Sequence, residues 1–157
     1  MGVRVKVTGT NLVLQGLDQY SKDVQKLVAD EVRDWAERTE SKAKQDVPVD
    51  TGDLKNSIRA VANPQKLSWA VKVGGTNNVV YAPFIEFGTG SFVSQSFLQE
   101  FGLVQYASQF KGAGIKEVNL PMRSFLFKNA RTEFEKTFQN IKRLLQADER
   151  SRQLLGK

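Results

Sequence analysis

The spacing of apolar residues changes from a strand period to a helix period within the first fifty residues. Valines at positions 3, 5 and 7 alternate with basic residues, which is the period of a half-buried strand. Turn residues at 8–11 and an apolar run at 12–14 then predict a short N-terminal hairpin. From position 20 to 43 apolar residues recur every three or four positions. This pattern predicts a long amphipathic helix that starts at Asp18 or Ser21 as N-cap and stops at Pro48.

The next stretch combines turn signals with strand-like runs. Residues 50–53, Asp-Thr-Gly-Asp, predict a cap that opens one or two helical turns through Leu54 to Ser57, because a short oxygen-bearing side chain accepts free N–H groups of the first turn. Residues 58–62, 67–73 and 79–87 are strand-like, with turn residues between them. They predict an antiparallel meander.

Residues 89–120 show no sustained period, although they are rich in aromatic side chains. A loop of this length is uncommon in a compact domain unless it is functional or becomes ordered on binding. We therefore predict an arm that contacts a neighbouring subunit. Its candidate contact residues are Phe92, Phe97, Phe101, Tyr106 and Phe110.

A second helix is predicted after Pro121, fading beyond Gln146 into a charged tail at 148–157. Its apolar stripe, which periodicity assigns to the core, consists of Phe127, Ala130, Phe134, Phe138, Ile141 and Leu145. The fold class that follows is α+β: an antiparallel β-sheet packed by a long N-terminal helix and a C-terminal helix, with a long loop between the last strand and that helix. A chain of 157 residues is long enough for one domain and short for two, so we predict a single domain that spans residues 1–157.

The formal charge of +6 is unevenly distributed. Residues 17–46 carry a net charge of −2, whereas residues 123–157 carry +5. The two segments could meet across neighbouring copies, or the basic one could face nucleic acid. The candidate residues for contact with DNA or a partner are Lys128, Arg131, Lys142 and Arg143. No apolar run approaches the roughly 20 residues of a membrane span.

The composition limits the chemistry, because histidine and cysteine are both absent. The commonest general base, the usual zinc ligands and cysteine nucleophiles are missing together, so no metal, cofactor or catalytic residue is predicted. The triplet Asp50-Thr51-Gly52 matches that of aspartic proteases, but it follows a polar helix rather than a hydrophobic strand, which favours capping. If residues 79–87 form a strand with Ile85 and Phe87 facing the core, Glu86 points the other way, to solvent or to an arginine of a neighbouring subunit.

Three segments carry motifs with a characteristic order and spacing. The first, 47–58, contains Pro48, Asp50, Thr51, Gly52, Leu54 and Ser57 after the long helix. The second, 81–89, contains Tyr81, Ala82, Glu86, Gly88 and Thr89. The third, 120–126, contains Pro121, Arg123 and Phe125 before the last helix. Together they resemble the head-tail joining, neck or tail-completion family of long-tailed bacteriophages, with Ser124 standing where that family usually has proline.

The resemblance implies a non-enzymatic structural protein of the virion, made in the host cytoplasm and located in the neck between head and tail. It implies a ring of six or twelve copies through which DNA passes. The expected partners are the chain itself, an adjacent head-completion or adaptor ring, and tail terminator or tail tube proteins, with transient non-specific contact to genomic DNA and none to membranes. An alternative is a small basic nucleic-acid-binding domain or a toxin-like ribonuclease, which would act as a monomer or dimer.

Overall fold

The computed structural model describes residues 3–6, 20–63, 68–74, 79–89, 93–108 and 120–154. Its first helix, α1 (Lys22–Asp46), is 25 residues long. Ser21 is its N-cap, and the Ser21 hydroxyl accepts a hydrogen bond from the N–H of Val24 at 3.3 Å. Val47 is already extended, as expected for the residue before a proline. The predicted helix is confirmed, with Ser21 rather than Asp18 as its cap.

The sheet has three antiparallel strands: β1 (Val3–Lys6), β2 (Arg59–Asn63) and β3 (Ser68–Val73). Their order is β1-β3-β2, so β3 is central. Val3 pairs with Val73 on one side of β3, and Arg59 pairs with Lys72 on the other. The β2–β3 hairpin was predicted, whereas β1 pairs with a strand far away in sequence. The predicted partner of β1, at 12–14, lies outside the described residues.

The prediction of a third meander strand at 79–87 is wrong. After the short helix α2 (Asp53–Ser57) and the hairpin, the chain forms a second short helix, α3 (Ala82–Phe87). Tyr81 is the N-cap, its carbonyl accepts from the N–H of Phe84 at 3.0 Å, and Pro83 lies in the first turn, where its fixed φ suits a helix. A short apolar run fits a strand or a buried helix equally well, and the open side of β3 is taken by β1.

Two further short helices lie in the segment predicted as an arm: α4 (Gln95–Glu100) and α5 (Val104–Ser108). Leu98 of α4 is buried against Phe87, and the Tyr106 ring meets the Phe87 ring edge-on at 5.9 Å. Residues 93–108 therefore pack against the core of their own chain. Phe92 and Phe110 lie outside the described residues.

The last helix, α6 (Phe127–Leu154), corrects two predictions. It continues beyond Gln146 through most of the predicted tail. Its buried residues are Asn129, Ala130, Glu133 and Thr137, whereas Phe134 and Phe138 are 39% and 53% exposed. The predicted core stripe is therefore wrong at these two phenylalanines. The reason is that α1 presents cations as well as apolar side chains to α6, so Glu133 of α6 is buried against Arg38 and Lys42.

Helices α1 and α6 lie antiparallel and share one interface. Tyr20 donates to Glu149 at 3.0 Å at one end, and Asn129 donates to Asp46 at 2.7 Å at the other. From the middle of α1, the indole N–H of buried Trp35 donates to the carbonyl of Ala130 in the first turn of α6 at 2.9 Å. The first and last helices of opposite net charge thus meet within one chain. With the sheet packed on α1, the predicted α+β fold class is confirmed.

Candidate functional site: the junction of the three motif segments

The three motif segments meet in the main hydrophobic core. Each contributes fully buried residues to the same cluster, together with Trp35 of α1 and Val71 of β3. The contributing residues are Leu54 and Ile58 from the first segment, Ala82 from the second, and Phe125 and Leu126 from the third. The motif positions therefore define a junction at which α2, α3 and the start of α6 are held together.

Glu86 forms the polar centre of this junction and is fully buried. Its Oε1 accepts hydrogen bonds from the Ser124 hydroxyl at 2.6 Å and from the N–H of Phe127 at 2.9 Å. Its Oε2 accepts from the N–H groups of Phe125 at 3.0 Å and Leu126 at 2.9 Å. One carboxylate thus serves three N–H groups that have no partner within helix α6. The prediction that Glu86 points to solvent is wrong, because the residue lies on a helix rather than on a strand.

The electrostatics of Glu86 follow from burial and from this hydrogen bonding. Burial raises the pKa of the Glu86 carboxyl above its usual value, while the bonds from Ser124 and the backbone act in the opposite direction. The site at the helix N-terminus favours a negative charge, because the peptide dipoles point their positive ends there. A buried acid can be a catalytic group, but each Glu86 oxygen already accepts two protein hydrogen bonds. This arrangement fastens α3 to α6.

Gly88 and Thr89 join the end of α3 to residues 120–123. The N–H of Thr89 donates to the carbonyl of Leu120 at 3.0 Å, and the N–H of Leu120 donates to the Thr89 hydroxyl at 2.8 Å. Gly88 has φ 73° and ψ −178°, a conformation that essentially only glycine adopts. A Cβ added there would lie 2.8 Å from the backbone nitrogen of Met122, so the close approach also requires glycine.

The first motif segment forms helix α2, although the predicted capping is wrong in detail. Gly52 is the N-cap, with φ 88°, and it has no side chain to cap the helix. Asp50 is exposed, and the Thr51 hydroxyl donates to Asp53 Oδ2 at 2.9 Å. Ser57 donates to the carbonyl of Leu54 at 2.7 Å and also accepts from the N–H of Gly74 at 3.1 Å, which ties α2 to the end of β3.

A second buried carboxylate, Glu133, lies between α1 and α6 and is 1% exposed. It contacts Arg38 at 3.1 Å, Lys42 at 2.6 Å and Lys136 at 2.9 Å. Burial acts to raise its pKa, but the hydrogen bonds and charges of the two lysines outweigh burial and lower the pKa of Glu133 to about 2. Sequence reasoning missed this group, because nothing local separates Glu133 from the exposed acids of α6.

The predicted contact residues fall into paired and unpaired groups. Arg131 forms ion pairs with Glu100 and Glu135, and its guanidinium lies 5.0 Å from the Phe101 ring centroid. Three others are exposed, and no carboxylate within the described ranges forms an ion pair with them: Lys128, Lys142 and Arg143. The structure does not gather the four residues into one site.

Arg123 and Pro121 are exposed next to the junction. The N–H of Arg123 donates to the carbonyl of Ile85 at 2.9 Å, which adds a further bond between the third motif segment and α3. The Arg123 side chain is therefore a surface group on a fixed backbone.

The described residues show neither a metal-binding cluster nor a membrane span. No three carboxylates in the described ranges stand where they could hold a metal ion. Of the helices described, none is both long enough and apolar enough to cross a membrane.

These features define a class of protein: an α+β chain whose motif residues hold helices together, with polar and basic groups on its surface. Residues 13–88 match the family HK97-gp10_like, described as "Bacteriophage HK97-gp10, putative tail-component". The match covers the first motif segment and most of the second, and it confirms the resemblance at the level of a putative phage tail component. No curated protein and no solved structure matches the chain significantly. The match supports a structural role in a bacteriophage particle.

Proposed function

We propose that the protein is a subunit of a ring in the phage neck, which joins the DNA-filled head to the tail. The single observation that carries this proposal is the motif junction inside a chain that matches a phage tail-component family. The hydrogen bonds of Glu86 and Ser57 and the close backbone approach at Gly88 hold α2, α3, β3 and α6 together. Motif residues that hold the fold together favour a structural subunit over an enzyme.

A ring subunit must present surfaces to its neighbours while its own core stays fixed. The junction fixes the start of α6, and the interface with α1 fixes the rest of that helix, so the exposed side chains of α6 keep a constant geometry. The proposed neighbours are further copies of the chain, a head-completion or adaptor ring on one side, and a tail terminator or tail tube protein on the other.

The positive net charge of +6 suits contact with passing DNA. Lysine and arginine side chains around a channel would hold phosphates without sequence preference, and such binding weakens steeply as salt displaces it. Contacts of this kind would steady the genome in the neck without retaining it during ejection.

The test is electron microscopy of lysates from a phage that carries an early stop codon in this gene. The proposal predicts separate DNA-filled heads and tails, and joined, infectious particles when the gene is supplied from a plasmid. A stop-codon phage that releases normal, infectious particles lacking the protein would refute the proposal. It would also direct attention to the ribonuclease alternative, which an assay on the purified protein would then test.

A further inference from the structure

The sheet separates apolar from basic positions on its two faces. Val71 and Val73 of β3 and Ala60 of β2 face the hydrophobic core. Successive strand residues point to opposite faces, so Lys72 and Arg59 lie on the outer face, which is turned away from α1. Arg59 is exposed and Lys72 is partly exposed. The three strands contain no acidic residue, so their outer face is positively charged.

The register of the sheet places three basic residues side by side. Lys72 on the central strand is paired with Arg59 on β2 and with Arg4 on β1. Residues directly opposite each other lie on the same face, with Cβ atoms about 4.5 to 5.5 Å apart. We define Arg4, Lys72 and Arg59 as the basic row, which crosses the sheet within roughly 10 Å. Lys6, two positions further along β1, falls on the same face.

Acidic groups do not balance the basic row on the part of the sheet surface that the structure describes. Lys72 and Arg59 form no ion pair with a carboxylate of the described ranges. Glu40 of α1 reaches the edge of β2, but it accepts from the N–H of Ala60 at 2.6 Å and pairs with Lys44. Like charges directly opposite each other destabilise a sheet. Lysine on an edge strand can prevent pairing with other chains, but Lys72 lies on the central strand. An anion bound to the row would remove the repulsion.

The chemistry of the outer face favours DNA over a protein as that anion. A protein interface usually has an apolar centre, whereas the described apolar residues of this face are the half-buried Val61 and the buried Ala70. Duplex DNA requires only closely spaced cations, because it carries one negative charge per about 1.7 Å of its axis. We infer that the basic row binds the phosphate backbone of duplex DNA as it passes through the ring. This inference rests on the proposed function.

The sheet holds its cations in a fixed arrangement, which α6 does not. Residues on a helix turn by about 100° per position, so Lys142 and Arg143 point in different directions. Arg131 already pairs with Glu100. By contrast, paired strands fix the spacing of the basic row, and Val71 is buried on the other face of the central strand. The site of DNA contact is therefore the sheet rather than α6.

Fluorescence anisotropy of a labelled duplex of random sequence tests the contact with the purified full-length chain. The dissociation constant of the wild type should rise steeply between about 50 and 200 mM salt and should be the same for unrelated sequences. The row variant, Arg59→Gln combined with Lys72→Gln, removes two phosphate contacts. We expect it to bind about tenfold more weakly at the lowest salt, and the slope of log Kd against log salt to fall by about 2.

The matched control is Lys128→Gln combined with Lys142→Gln, which removes two exposed cations of α6 and changes the net charge equally. We expect its dissociation constant to stay within about twofold of the wild type and its slope to be unchanged. An equal loss in both double variants would mean that overall charge binds DNA, and it would overturn the inference. Wild-type protein that binds no DNA at low salt would overturn it as well and would leave the basic row to an acidic protein.

Unfolding in urea separates a binding role from a structural one. The row variant loses unfavourable like-charge pairs, so its midpoint should equal or exceed that of the wild type. A lower midpoint would mean that the basic row stabilises the fold by itself, and it would overturn the need for an external anion. Lys72→Gln alone should lower the salt slope by about 1, which keeps the contact testable if the double variant does not fold.

Complementation of the stop-codon phage distinguishes failure of this inference from failure of the proposed function. Heads and tails should still join when the plasmid supplies the row variant, because the basic row faces DNA and not a neighbouring subunit. Separate heads and tails with this variant would make the row an intersubunit contact and overturn the inference. Joined, infectious particles without any copy of the protein would refute the proposed function, whatever the affinity for DNA.

Discussion

The buried carboxylate of Glu133 gives a prediction with a worked magnitude. Its pKa is lowered from the usual 4.5 to about 2. At about 1.36 kcal/mol per pKa unit, the ionised group would stabilise the folded state by about 3 kcal/mol. Its partners Arg38, Lys42 and Lys136 are 38%, 40% and 56% exposed, so solvent screens part of the attraction. We therefore expect Glu133→Gln to cost about 2 kcal/mol at pH 7.

The pH dependence of this loss follows from the direction of the shift. Because the folded-state pKa of Glu133 is depressed, its contribution is complete above the unfolded value near 4.5 and disappears as the pH falls towards 2. The difference in unfolding free energy between the wild type and Glu133→Gln should therefore shrink to less than half between pH 7 and pH 3. Urea unfolding, followed by tryptophan fluorescence, measures it, since Trp35 is buried in the same helix interface.

The control is Glu135→Gln, on the same helix. Its carboxylate is 66% exposed and, among the residues that the structure describes, pairs only with a surface arginine, so we expect a change within about 0.5 kcal/mol at every pH. A Glu133→Gln variant as stable as the wild type at pH 7 would refute the reasoning. A difference from wild type that does not vary between pH 7 and pH 3 would refute the electrostatic part of it.

Three further predictions concern the motif junction, all measured by urea unfolding. Glu86→Gln replaces one of the two acceptor oxygens with a donor. The new amide can donate to the Ser124 hydroxyl, but the N–H of Phe127 then loses its acceptor, so the change should cost about 1 to 3 kcal/mol, and a cost under about 0.5 kcal/mol would contradict the capping role. Gly88→Ala should cost more than Gly102→Ala, because both have positive φ but only Gly88 meets the Met122 backbone, so equal costs would contradict the close approach. Asp50→Ala, at an exposed position, should change stability by about 0.5 kcal/mol or less, and a larger loss would reinstate Asp50 as a cap.

Local signals in the sequence predicted the elements that depend on local interactions. Helix α1 has a capping serine, continuous helical periodicity and a proline just past its end, and each acts within a few residues. The β2–β3 hairpin likewise joins neighbouring strands. The place of β1 beside β3 could not be predicted, because pairing across about seventy residues depends on which edge remains free after the rest has folded.

The errors at α3 and α6 share a physical cause. Strand alternation placed Glu86 on the solvent side, but the same residues form a helix whose carboxylate fits the free N–H groups of α6. On α6 the apolar stripe was assigned to the core, whereas Glu133 occupies the buried position because α1 supplies cations there. In both cases the partner group lies on a distant element, so neither burial follows from the sequence alone.

The site itself was predicted as a set of residues and not as a geometry. Resemblance to a phage family selected Glu86, Gly88 and Ser57, but only the fold shows what each contacts. Ser124, where the family usually has proline, donates to Glu86 and accepts from the N–H of Lys128 at 3.3 Å. A departure from the family pattern thus adds a hydrogen bond to the same junction.

Immuno-electron microscopy of intact virions tests the central claim, a structural role at the joint of head and tail, most directly. Gold-labelled antibody raised against the purified protein should bind at the neck of wild-type particles, and label should be absent from stop-codon particles treated in the same way. Label distributed along the tail, at its tip or over the head, on particles shown by mass spectrometry to contain the protein, would contradict the account.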